Sequence, residues 1–172
     1  MNIANLSTGK NPTIGELNAF IEIPKDSGIK YELDKESGVI MVDRFLHTAM
    51  RFPTNYGFVP NTLAEDGDPL DVMVLSEYSV APGTVIPVIV IGMLEMEDEA
   101  GIDTKILAVP TAKIDPLYGM FKDIEDVPEA IKNKLKHFYE NYKSLEAGKW
   151  VKLKEWKNKA TALEAIQKSL KS

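Results

Sequence analysis

Asp66-Gly-Asp-Pro-Leu-Asp-Val-Met-Val-Leu75 joins an acidic turn to an apolar strand. Gly67 opens dihedrals closed to other residues, Pro69 fixes its own φ, and Asp68 before it is pushed towards an extended shape. The run from Val72 to Leu75 reads as a buried strand, which pins the turn to a rigid edge. Outward from it, residues 18–110 form a series of short strands, at 18–24, 30–34, 39–44, 55–60, 71–75, 85–94 and 104–110. The second and third make a hairpin around Lys35-Glu-Ser-Gly38. No helical pattern intervenes, and strands so spaced point to a closed or partly closed antiparallel barrel.

The helical signal comes late. Asp126-Val-Pro-Glu129 predicts a helix start, with a capping carboxylate, a proline in the first turn and a glutamate three positions on. Ile131, Leu135, Phe138, Tyr142 and Leu145 then recur at four- and three-residue steps, and Gly148 marks the stop. A second helix is predicted over 158–170, with Leu163, Ile166 and Leu170 at the same period. The fold class expected is therefore mainly β with flanking helices (α+β), in a single domain spanning 1–172.

Composition narrows the function. Hydrophobic residues make up 44% of the chain and charged residues 27%, as in an ordinary globular protein. There is no cysteine, so disulfide scaffolds and thiolate zinc sites are excluded. His47 and His137 are the only imidazoles and stand far apart, so a histidine metal centre is not expected. A net charge of −6 argues against a nucleic-acid partner, whose binding rests on basic phosphate contacts. No signal peptide is read at the N-terminus. The longest apolar run, 85–94, is broken by Pro87 and Gly92 and too short for a bilayer. A cytoplasmic protein without a membrane partner is expected.

The chemistry concentrates in the 66–71 turn. Asp66, Asp68 and Asp71 repel one another unless a hard cation lies between them, and oxygen-only ligands point to Mg²⁺ or Mn²⁺, with Ca²⁺ next. The glycine position and the lack of a closing glutamate exclude an EF-hand loop. A second acidic cluster, Glu95, Glu97, Asp98, Glu99 and Asp103, reads as a loop broken at Gly101, with Lys105 after it. Two such loops together could hold more than one metal ion. Lys30 and Glu32, two apart on one strand, face the same side. Arg44 ends the partner strand and Glu22 lies on another. Carboxylates for cations and Lys or Arg for a phosphate anion would make a mixed site. Tyr142 lies on the apolar stripe of the first helix with Lys143 beside it, placed to bury a ring and aim a hydroxyl. Met73, Met93, Met96 and Met120 read as core fillers. No nucleotide-binding glycine motif and no nucleophile elbow occur.

Assembled, these residues resemble the soluble inorganic pyrophosphatases of the bacterial, family I type. The likeness runs from about Phe20 to Val151 and is most specific in Asp66-Gly-Asp-Pro-Leu-Asp-Val72. Ile21-Glu-Ile-Pro24, Ile29-Lys-Tyr-Glu32, Val42-Asp-Arg44, Asn55-Tyr-Gly57, Asp98-Glu-Ala-Gly-Ile-Asp-Thr-Lys105, His137-Phe-Tyr-Glu140 and Tyr142-Lys143 support it in the same order. The resemblance implies an OB-like five-stranded barrel with flanking helices, hydrolysis of pyrophosphate to two phosphates, and several Mg²⁺ ions per site, with Mn²⁺ or Zn²⁺ as substitutes. It implies that Asp66, Asp71 and Asp103 hold the first metal, that Asp71 is shared with a second, and that Asp98 and Asp103 hold a further one that arrives with substrate. Glu22, Glu32 and Glu99 would stand around the metals. Asp68 would accept the proton of the metal-bound water, with Tyr56 beside it. Lys30, Arg44, Tyr56, Lys105, Tyr142 and Lys143 would hold the phosphates. The chain departs from many bacterial members at Phe52, where they carry Tyr, so Phe52 is left out of the site. A homohexamer is implied by the family alone. The rival expectations are an OB-fold nucleic-acid-binding module and a Mg²⁺-dependent nucleotide phosphohydrolase.

Overall fold

The computed structural model describes residues 6–171. Among the described residues nine strands and two α-helices follow one another: β1 (Glu16–Ile23), β2 (Ile29–Asp34), β3 (Val39–Phe45), β4 (Asn55–Phe58), β5 (Asp71–Val74), β6 (Val85–Asp98), β7 (Gly101–Ile102), β8 (Lys105–Pro110), α1 (Glu129–Asn141), β9 (Val151–Asn158) and α2 (Lys159–Ser169). The main sheet runs β1-β4-β5-β8-β6, and β6 pairs back onto β1, which closes a ring of five strands. β7 and β9 add to β6, and β2–β3 is a separate two-stranded sheet.

The ring departs from an all-antiparallel barrel at one seam, since β5 and β8 pair in parallel. The long β6 carries the chain back between them, so both strands point the same way. Their apolar runs, Val72-Met-Val-Leu75 and Ile106-Leu-Ala-Val109, are buried on both faces, as parallel strands are. Parallel register sets Asp71 opposite Lys105. Two apolar layers result. Leu17, Ala19, Ile21, Val72, Val74, Val88, Val90, Ile106 and Ala108 pack with Ala162 and Ile166 of α2. On the opposite face, Met73, Leu75, Ile91, Leu107 and Val109 pack with Leu135, Phe138 and Tyr139 of α1.

Element ends differ from the sequence pattern in several places. α1 begins at Glu129 behind Pro128, and no side chain caps it. Asp126 instead closes a capping box with Asp123 around the preceding 3₁₀ turn, because its carboxylate reaches back to the Lys122 and Asp123 amides. The helix ends at Asn141, so Leu145 lies past it and is exposed. α2 is capped by Asn158, whose Oδ1 accepts the Thr161 N–H. β6 continues to Asp98, so Glu95 and Glu97 are strand residues and the tip narrows to a hairpin in which Asp98 faces Gly101. β9 was not anticipated: Lys152 and Lys154 alternate with Val151 and Leu153, and that short period-two pattern was its only signal. Met73, Met93 and Met96 are buried as expected, whereas Met120 is exposed on a 3₁₀ turn. His47 and His137 are both exposed.

Candidate active site

The 66–71 turn is built as its glycine and proline require. Gly67 has φ 88°, in the left-handed region. Asp66 Oδ1 accepts the Asp68 N–H at 2.9 Å, and β5 then takes Asp71 to the head of the buried strand. Across from the turn, β1 bulges between Ile21 and Ile23, and Glu22 is the residue in the bulge. Its Oε1 accepts the Leu33 N–H of β2 at 2.8 Å. These elements wall a cleft of about 200 Å³ that gathers Glu22, Lys30, Glu32, Tyr56, Asp66, Asp68 and Asp71. Lys35, from the turn of the β2–β3 hairpin, reaches Asp68 at 2.5 Å across the same cleft. Both groups of that pair are well exposed, so it orients more than it stabilises.

Asp103 enters from the β7–β8 connection. Lys105 Nζ lies between it and Asp71, 2.9 Å from Asp71 Oδ2 and 2.9 Å from Asp103 Oδ1, and donates to Tyr56 Oη at 2.8 Å. The Lys105 side chain is 5% exposed. Burial works against its charge, yet Asp71, Tyr56 and Asp103 together hold its pKa well above the ordinary lysine value. Among the described residues no three acidic or imidazole side chains converge into a ligand cluster, and the centre between Asp71 and Asp103 belongs to this ammonium. The Tyr56 and Tyr139 rings flank it, with centroids at 5.1 and 5.7 Å.

A neighbouring group forms where the β6–β7 hairpin meets the end of α1. Lys143 Nζ is 2.9 Å from Asp98 Oδ2 and 3.2 Å from Glu99 Oε2, and Lys149 pairs with Glu99 at 2.9 Å. Burial opposes the Lys143 charge, but the bond to Asp98 leads a set of contacts that raise its pKa. Glu99 is pulled down to about 2: burial pushes it up and is outweighed by Lys149, the backbone N–H groups and Lys143. Lys30 and Arg44 are direct cross-strand partners and meet at Asp43, at 3.2 and 2.6 Å. Arg44 also pairs with Glu146 at 2.9 Å. Tyr142 stacks on Phe138, with ring centroids 5.0 Å apart.

Among the described residues Glu22 is the one carboxyl pushed strongly upward, to about 7. Burial is the main cause, eased by the Leu33 N–H and reinforced by Asp71 and Glu32. Sequence reasoning missed Lys35, Asp43, Glu146 and Tyr139 as site residues; Asp43 and Tyr139 lie inside the stretches Val42-Asp-Arg44 and His137-Phe-Tyr-Glu140 that carry the resemblance, while Lys35 and Glu146 had no such signal. Tyr139 is buried with an unpartnered hydroxyl beneath Lys105. Phe52 packs in the cluster formed by Tyr56, Phe138 and Tyr142 and is buried.

Carboxylates line this cleft, and the buried Lys105 and Lys143 are held by carboxylates in it or next to it, a donor set chemically suited to an anion handled together with cations. The family model described as inorganic pyrophosphatase matches residues 19–172. An inorganic pyrophosphatase of Aquifex pyrophilus is 55% identical over 172 residues, covering 100% of this chain and 97% of its own length. One of Campylobacter jejuni is 51% identical over 172 residues, covering 100% and 99%. The solved inorganic pyrophosphatase of Helicobacter pylori superposes with a TM-score of 0.92 at 48% identity over 96% of both chains. That of Thermus thermophilus gives 0.92 at 46% identity, over 97% of this chain and 95% of its own. The chain belongs to the inorganic pyrophosphatase family. Neither rival expectation, the nucleic-acid module or the nucleotide phosphohydrolase, finds support among these relatives.

Proposed function

We propose that the cleft around Asp66, Asp68 and Asp71 is the catalytic centre, that Mg²⁺ is its cofactor, and that Asp68 is the general base. The reaction follows from family membership: the enzyme hydrolyses pyrophosphate to two phosphates. The family also implies a divalent metal. The donor set fits a hard one, because Asp66, Asp71, Asp98 and Asp103, with Glu22, Glu32 and Glu99 around them, offer oxygen alone. Two of these carboxylates already gather a cation, in the Lys105 ammonium. Bound Mg²⁺ would acidify a water and shield its approach to the negative phosphorus. Mn²⁺ or Zn²⁺ are the substitutes expected.

The protein's own groups divide the remaining work. Asp68 is exposed at the cleft, off the Asp71–Lys105–Asp103 centre, and Lys35 meets only its Oδ1, which leaves Oδ2 to take a proton from the attacking water. Lys30, Arg44, Lys105 and Lys143 carry fixed positive charge for the two phosphates, and the Arg44 fork suits bidentate contact. They neutralise charge moving onto the leaving phosphate as the P–O–P bridge opens. Tyr56 and Tyr142 close the apolar side and present hydroxyls. The Tyr56 hydroxyl stays protonated, since burial first and Asp71 next raise its pKa.

The observation that best supports this reading is the shared cleft in which the acidic turn faces Lys30 and Tyr56. Phosphate release from pyrophosphate and from ATP, compared in Mg²⁺ and after exhaustive chelation, tests it. Release from pyrophosphate that stops on chelation is expected, and full activity in EDTA would contradict it. We read the chain as cytoplasmic, from its cysteine-free composition, and as homohexameric by its resemblance. Among the described residues no helix is long and apolar enough to cross a membrane. Val39, Met41, Val42 and Phe45 on β3 are exposed apolar side chains that self-association would cover, and sedimentation of the purified protein decides the point.

A further inference from the structure

Lys105 and Lys143 have two roles that one geometry cannot serve. An ammonium has three N–H donors. Lys105 gives one each to Asp71, Asp103 and Tyr56, so it has none left for a phosphate oxygen. Lys143, 6% exposed, is likewise committed to Asp98 and Glu99. Yet the lysines are the phosphate-binding groups proposed above, and the carboxylates that hold them are the proposed cation ligands. The roles are compatible only if taken in turn.

We propose that Lys105 and Lys143 are built-in counter-ions that compete with the divalent metal for their carboxylates, so that metal binding frees both ammonium groups for pyrophosphate. The inference rests on the reading of the site given under Proposed function. Its physical basis is a choice of cation at one anionic centre. Without metal, the ammonium keeps Asp71 and Asp103 from repelling each other and holds the cleft in shape. A dication satisfies the same oxygens with twice the charge and repels the ammonium beside it. A lysine can yield, because its charge sits on a flexible four-carbon stem. The Tyr56 and Tyr139 rings lie 5.1 and 5.7 Å from the Lys105 Nζ, so aromatic faces still border the ammonium once its carboxylates are taken. Metal and pyrophosphate then assist each other through the lysines, and the coupling is reciprocal.

The test is calorimetric titration of Mg²⁺ into the purified protein without substrate. The variants are Lys105→Met, Lys143→Met and the control Lys35→Met. Lys35 lines the cleft and carries the same charge but pairs with Asp68, the proposed base, and not with a proposed ligand. Removing a competitor is expected to raise Mg²⁺ affinity about tenfold in each of the first two variants, within the usual span of coupling between sites. Lys35→Met is expected to change it by less than about twofold, as for a screened surface charge. In saturating Mg²⁺, binding of the non-hydrolysable methylenediphosphonate should weaken in the first two variants. Mg²⁺ affinity unchanged or lowered in both, with the wild type binding Mg²⁺ and hydrolysing pyrophosphate, overturns the competition and leaves the functional reading intact. An equal rise in Lys35→Met also overturns it, since cleft charge alone would then explain the effect. A wild type that neither binds Mg²⁺ nor releases phosphate overturns both. Should Lys105→Met fail to fold, as its thermal transition would reveal, Lys143→Met at the other pair decides alone.

Discussion

Gly57 is where the ring and the site depend on one missing atom. It sits on β4 opposite Ile21 of β1, next to Tyr56, and its φ is not in the left-handed region. What it supplies is space. A Cβ built there would lie 1.8 Å from the Phe20 carbonyl oxygen and 2.8 Å from its carbon. A carbon needs about 3.3 Å from such an oxygen, so β1 and β4 would have to part by roughly 1.5 Å. In a closed ring that opening cannot be passed to a free edge. One or two ladder bonds beside the existing bulge should stretch past useful length, at about 0.5–1.5 kcal/mol each. Overpacking strain adds about 1–3 kcal/mol. Gly57→Ala is therefore expected to cost about 1.5–6 kcal/mol, and its melting temperature to fall by about 2–4 °C for each kcal/mol in a chain of this size. Displacement of Tyr56 should weaken its bond to Lys105 and lower turnover as well. Urea unfolding and thermal melts of the metal-free protein measure the first effect, and phosphate release the second. Gly67→Ala is the contrast. No atom lies within 4 Å of the added carbon, but the φ of 88° is unfavourable, so only about 1–2 kcal/mol is expected. A Gly57→Ala protein within about 0.5 kcal/mol of wild type, a level typical of surface changes, would refute the reasoning.

Further expectations concern the chemistry. Asp68→Asn should leave Mg²⁺ affinity nearly unchanged and lower turnover by roughly 10²–10⁴-fold, the usual range for a general base. Asp71→Asn should lower metal affinity itself and recover partly at high Mg²⁺; the opposite pattern of rescue would reverse the two assignments. Ca²⁺ should bind but support little turnover, because its looser oxygen shell places the attacking water poorly, and comparable rates with both ions would contradict this. In metal-free protein the Glu22 carboxyl titrates near 7 against 4.5 for an ordinary glutamate. The native state therefore holds the extra proton. This contribution is fully present below pH 4.5 and is lost as pH rises through 7, a change of at most about 3–4 kcal/mol. Denaturant midpoints across that window should fall in the wild type and flatten in Glu22→Gln, and parallel curves would remove the burial argument.

Much of this was legible along the chain because it is local. The 66–71 turn, the β2–β3 hairpin, the α2 boundaries and the apolar strands follow from dihedral restriction and from periods of 2 and 3.6. The carboxylate-rich, cysteine-free composition limited the cation to one held by oxygen. The likeness in ordered motifs from Phe20 to Val151 pointed to the family that the comparisons then established. Other features were not local. The parallel seam between β5 and β8 depends on the crossover through β6, although the doubly buried runs at 72–75 and 106–109 are its trace in sequence. Asp126 caps the turn before α1 because its carboxylate folds back to accept the Lys122 and Asp123 N–H groups. The sequence alone determined which groups are available: hard oxygen donors, lysines, an arginine and no thiol. Only the tertiary structure decided their partners. Lys105 lies 34 residues from Asp71 and 49 from Tyr56, yet parallel register and ring closure bring all three to one point. Coulomb energy depends on distance through space, and spacing along the chain does not specify that distance.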